Sequence, residues 1–203
     1  MAMRVSALCF QTLASGLLLC GSALADGPEK APPVVEQVCA GCHGMDGNSV
    51  IPTIPKLAGS HPEYLLRELR DFISGRRKSE VMGALAPTIN TDDLKAIANY
   101  FGRQKSTAGQ ITDPAAAAMG QKIFLDGNEE KGLPACAGCH EVDGSGTKKF
   151  PRLAGQHKEY LVDQLTKFKN DVHTNPGSRF MRTVAKRMTE DEIKAVAEYL
   201  NAM

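Results

Sequence analysis

The chain has 203 residues, 42% of them hydrophobic, with 24 basic and 23 acidic side chains and a formal net charge of +1. That length suits one ordinary domain or two small ones, and the near balance of charge argues against the basic surface of a nucleic-acid binder. Aromatic content is 5% with no tryptophan, so two small domains would need a large apolar filler, such as a cofactor, to complete thin cores.

At the N-terminus, Arg4, an apolar stretch from Leu13 to Leu19 and the small-residue run Ala23-Leu24-Ala25 read as a cleaved secretory signal over residues 1–25. The stretch is too short, and too broken by Ser15, Gly16, Gly21 and Ser22, for a spanning helix of about 20 apolar residues. An uncleaved anchor is the alternative. Leu19 is bulky where a lipidated Cys20 would follow a small residue, which argues against a lipoprotein. Removal of residues 1–25 takes away Arg4 and no acidic side chain, leaving a formally neutral mature chain. The address implied is the periplasm.

Residues 26–102 are expected to form a first domain. It opens with Cys-Ala-Gly-Cys-His at 39–43, followed by Asp46-Gly47 and by "PKLAGSHPEYL" from residue 55. Ser60 with Glu63 has the pattern of a capping box, and Leu65, Leu66, Leu69, Phe72 and Ile73 continue at helical spacing. Met82 precedes a terminal helix whose stripe is Leu94, Ile97, Ala98 and Phe101. Residues 103–112, polar and glycine-containing, read as a linker.

A second domain over 113–203 repeats this order. Asp113 and Pro114 look like an N-cap and first helical position. The same five-residue motif returns at 136–140, followed by Asp143-Gly144, "PRLAGQHKEYL" from residue 151, Met181, and a capping box of Thr189 with Glu192 before Ile193, Val196, Ala197 and Leu200. The offset between copies is 97 residues at the cysteines, 96 at the middle block and 99 near the end. This is an internal duplication, helical in both copies with no convincing strand.

The four cysteines left after signal removal, Cys39, Cys42, Cys136 and Cys139, all lie in the repeated motif. Paired cysteines in an exported chain also suit disulfides or a zinc site. The histidine that follows each pair separates the readings, because two thiols can bond the vinyl groups of one haem while the adjacent imidazole reaches its iron. The chemistry implied is two covalently bound haem c groups, attached through Cys39 and Cys42 and through Cys136 and Cys139, with His43 and His140 as iron ligands.

Each iron then needs a sixth ligand or an open position. Met82 and Met181 coincide in the repeat, and a soft thioether there favours ferrous iron. Met45 is too close to His43, and Met188 takes the place of Ile89 and reads as core. His61 and His157 also coincide in the repeat and are the rival ligands, with capping or solvent exposure as their alternative roles. His173 reads as a surface residue without a twin.

Taken together, the motif, the "DG", the "PxLAG", the "YL" helix, a methionine and a terminal helix, twice over, resemble the dihaem cytochrome c4 family across essentially the whole mature chain. The resemblance implies an all-α fold of two tandem class I cytochrome c domains related by pseudo-twofold symmetry. It implies that the carbonyls of Pro55 and Pro151 orient the ligand histidines, and that any arginine directed at haem propionates is Arg76 or Arg77. The second half lacks that arginine and has a longer loop, so the two haem surroundings should differ. The implied function is a carrier of single electrons, not an enzyme, with redox proteins as partners and peripheral contact with the inner membrane left open. Alternatives are a cytochrome subunit of a dehydrogenase or a dihaem redox enzyme.

Overall fold

The computed structural model describes residues 30–203, so the expected signal over 1–25 lies outside the described residues. A π-helical turn, Val35–Cys39, runs directly into α1, Ala40–His43. The first half continues with α2, Pro62–Ile73, α3, Glu80–Leu85, and α4, Leu94–Arg103. The second half comprises α5, Pro114–Asp126, α6, Ala137–His140, α7, Lys158–Lys169, α8, Arg179–Ala185, and α9, Glu190–Asn201. The only β pairing among the described residues is an isolated bridge between Asn128 and Leu133.

Local chemistry explains several helix starts. Asp113 caps α5 by accepting from the amides of Ala115 and Ala116, and Thr189 with Glu192 closes a reciprocal capping box on α9. The box expected from Ser60 and Glu63 does not form. Pro62 occupies the first turn and presets the helical φ there, so the N-cap is His61, without a side-chain cap bond, and Ser60 is buried instead.

Each half has its own core. Leu94, Ile97, Ala98 and Phe101 of α4 are buried with Val35, Leu65 and Ile89, and Ile193, Val196, Ala197 and Leu200 of α9 are buried with Phe124, Leu161 and Met188. Full burial of one such aliphatic side chain contributes roughly 1.5–3 kcal/mol. The halves differ at their start. In the second, α5 crosses α9 so closely that a Cβ at Gly120 would lie 2.0 Å from the carbonyl oxygen of Ala195. In the first, the described helical run ends in the cysteine motif itself.

The repeated "LAG" loops are held identically. Leu57 and Leu153 donate to the carbonyls of Gly47 and Gly144 at 2.7 and 2.8 Å, while Gly59 and Gly155 donate to Phe101 and Leu200 of the terminal helices at 3.0 and 2.8 Å.

Contacts between halves are reciprocal. His61 Nε2–H donates to Gly146 O at 3.1 Å, and His157 Nε2–H donates to Ser49 O at 2.8 Å. Ser49 and Gly146 are themselves 97 residues apart, the offset of the cysteine block. Gln156 adds two bonds at 2.9 Å, accepting from the Lys56 amide and donating to the Lys56 carbonyl. Arg77 pairs with Glu68 at 2.9 Å and reaches across to Tyr160 and Gln164, both at 3.0 Å. In return, Asn175 donates to Glu68 and Asp71 at 3.2 and 2.8 Å.

The segment joining the halves is tied to both. Asn48 accepts from the Thr107 amide at 2.9 Å and donates to Lys105 O at 2.9 Å, fixing its first part to the first half. Gly109 donates to Asn201 O at 2.7 Å, and Glu198 accepts from Thr112 and Asp113, fixing the rest to the second half. Burial raises the Glu198 carboxyl, but those donors and Lys158 outweigh it and hold it down to about 2.

Candidate functional site

Both cysteine motifs sit on short helical turns, where the first cysteine, three residues before the second and four before the histidine, is set toward both. His43 Nδ1–H donates to Pro55 O, and His140 Nδ1–H donates to Pro151 O, each at 2.9 Å. The bond fixes the tautomer with Nδ1 protonated and leaves Nε2 bearing its lone pair, as a ligand imidazole requires. Both rings are buried, and burial, against the pull of the proline carbonyls, holds them below the usual histidine range. The expected proline role is therefore present in both halves.

No two of the four cysteines are joined in a disulfide, and Cys39 and Cys136 are set in largely buried surroundings. Among the described residues no cluster of three or more His, Cys, Asp or Glu side chains could hold a metal ion. The motifs thus offer one imidazole and two thiols each, a donor set that suits covalent haem.

One continuous cavity of about 570 Å³ extends through both halves, and its walls include all four cysteines, His43, His140, Met82 and Met181. Most of the lining is apolar, from Leu65, Leu69, Phe72 and Phe101 in the first half to Leu161, Leu165, Phe168 and Leu200 in the second. This is the space that the filler expected for the thin cores would occupy. Met82 stands on α3 and Met181 on α8, short helices that precede the terminal helices. Met188 also touches the cavity but is 2% exposed within the second core, in keeping with a packing role.

The rival histidines are placed elsewhere. His61 and His157 are not among the cavity-lining residues, because their rings are directed across the interface to Gly146 and Ser49. They brace the two halves, a role outside both the ligand reading and the capping reading.

His173 requires a correction. It is buried at 8% exposure, lines the cavity and stacks on Phe168 with ring centroids 4.2 Å apart. It also has a twin. The His173 amide donates to Lys167 O, and the Arg77 amide donates to Asp71 O; Arg77 lies over Phe72 as His173 lies on Phe168, 4.7 Å from the guanidinium carbon to the ring centroid. Each of these pairs is 96 residues apart, so extending the middle-block offset past the helix end would have found the match. The unlike residue types concealed it. Gln156 was missed for another reason: nothing in a lone glutamine signals an interdomain bond.

Arg76, half exposed, is held by Asp71 at 2.8 Å, whereas Arg77 is buried and faces the cavity. No helix among the described residues is long and apolar enough to cross a membrane.

The family model described as cytochrome c matches residues 29–104 and 117–203. The cytochrome c4 of Pseudomonas aeruginosa is 39% identical over 188 residues, covering 91% of this chain and 93% of that protein. A thiosulfate dehydrogenase electron acceptor of Thiomonas intermedia is 36% identical, covering 85% and 81%. The crystal structure of reduced recombinant cytochrome c4 from Pseudomonas stutzeri matches with a TM-score of 0.78 at 40% identity, over 82% of this chain and 94% of that one.

Proposed function

The chain belongs to the dihaem cytochrome c4 family and is an electron carrier with two covalent haem c groups, and on that premise we propose that it passes single electrons between redox proteins in the periplasm. When bound, each haem supplies a one-electron ferric/ferrous couple. We assign Cys39, Cys42, His43 and Met82 to the first haem, and Cys136, Cys139, His140 and Met181 to the second, within domains 26–102 and 113–203 joined by 103–112. The observation that carries this reading is the single cavity that both motifs and both methionines enter.

The protein's residues do three things for transfer. The prolines hold the imidazoles in one tautomer, the apolar walls keep water from the iron positions, and the interface bonds fix the separation of the two sites. A terminal oxidase is the acceptor we favour, with this protein itself in peripheral contact with the inner membrane. The relative named for accepting electrons from thiosulfate dehydrogenase favours a second reading, in which a dehydrogenase is the donor.

Intact mass under denaturing conditions tests attachment. The expected mass is that of the mature chain plus two haems, with no alkylatable thiol; a mass short by one haem overturns the assignment. Spin state tests the carrier role. Both ferric haems are expected to be low-spin, with carbon monoxide binding slowly or hardly at all, and rapid stoichiometric peroxide turnover by the isolated protein would move the assignment to an enzyme.

A further inference from the structure

His173 and Arg77 occupy twin places, yet only one is permanently charged. Every polar group of the Arg77 guanidinium that the structure pairs is committed to Glu68, Tyr160 or Gln164. By contrast, His173 Nδ1 is buried with no partner in hydrogen-bonding geometry, the Asn175 side chain acting on it only from beside the ring, in a wall of the cavity that the two halves share. Buried polar atoms are seldom left unpaired, and each exception calls for a missing partner.

We propose that His173 Nδ1–H is a donor to a propionate of the haem anchored at Cys136 and Cys139, making the potential of that haem, and not of its twin, respond to pH. The inference rests on the haem assignment above. Around the ring stand Phe168 and Lys167 from α7, Asn175 from its own loop, and Arg77 and Asp71 from the first half; Asn175 is in turn bonded to Glu68. Without a propionate, burial, with Arg77 and Lys167 nearby, holds His173 down to about 3. A propionate carboxylate acts in the opposite direction and draws its titration upward.

The sign follows from charge. A ferric haem carries one more positive charge than a ferrous one, so protonated His173 beside it favours the ferrous state. The potential of the second haem therefore rises as pH falls through the titration of His173, and reduction of that haem by an electron from the redox partner is accompanied by uptake of a proton from solvent. In the first half Arg77 keeps its charge at all working pH values, so no such link exists there.

The test is a spectroscopic redox titration of the holoprotein from pH 8 to pH 5, with the haems distinguished by the methyl resonances that Met181→His displaces. At a fixed applied potential, the ferrous-to-ferric ratio of the second haem is expected to rise about tenfold, or 59 mV for a one-electron couple, while the first stays within about twofold. His173→Gln should flatten the response, and His173→Arg should flatten it with the ratio held near the acid value. A slope that survives His173→Gln, or a wild type in which both haems respond equally or neither does, overturns the proposal. Two low-spin haems with a flat response would fail His173 alone, whereas a wild type lacking the second haem would fail the anchoring on which it rests.

Discussion

Replacing Met82 or Met181 singly with His is expected to lower the potential of one haem by on the order of 100 mV or more, because a basic imidazole stabilises ferric iron where a soft thioether favours ferrous. The weak absorption band near the red end that accompanies iron–methionine sulfur bonding should halve in each variant. Since 59 mV is a tenfold change for one electron, a shift of about 100 mV in the haem of higher potential is large enough to reverse transfer between two haems separated by less than that. Met188→Leu is the control. Its side chain touches the cavity but is packed in the second core, so the swap should leave the band intact and cost less than about 1.5 kcal/mol. If Met188→Leu abolished the band, or if both histidine variants left the potentials untouched, the ligand assignment would be wrong.

Removing the guanidinium of Arg77 should be the most damaging single change at the interface. Arg77→Met leaves Glu68 largely buried without its closest cation, since the remaining Arg67 nitrogen is 3.5 Å away and the other neighbour is the neutral amide of Asn175. Breaking a buried pair from one side costs about 3–5 kcal/mol, and here the bonds to Tyr160 and Gln164 go with it. The thermal midpoint of the holoprotein is expected to fall by roughly 10 °C. The double variant Arg77→Met, Glu68→Met should recover much of that loss, because it removes the stranded charge as well. A single variant as stable as the wild type would show that Arg77 contributes nothing to holding the halves together.

How much of this was legible before the structure depended on whether a residue acts locally or across the molecule. The duplication, the helix stripes, the capping box at Thr189 and the cysteine-histidine motifs are local patterns, and the middle and terminal helices formed where their apolar spacing placed them. Ser60 was misread because Pro62 outweighs a capping pattern that matched only in letters. His61, His157 and His173 were misread for different reasons. The partners of His61 and His157 lie 85 and 108 residues away, at Gly146 and Ser49, and are backbone carbonyls, which leave no trace in residue type, whereas His173 was concealed because its twin, Arg77, is an unlike residue. A histidine at a helix start looks the same whether it caps, faces water or grips a neighbouring domain.

The pinned strap between the halves bears on the rate of exchange between the two irons. A free tether of about ten residues would let its ends wander over roughly 17 Å, and electron tunnelling, which decays steeply with separation, would then be gated by how often the domains drifted into range. With Thr107 held by one half and Gly109 and Thr112 by the other, that waiting step is removed. The tunnelling distance becomes a constant of the fold, so that driving force and reorganisation, rather than encounter within the molecule, set how quickly charge divides between the two sites.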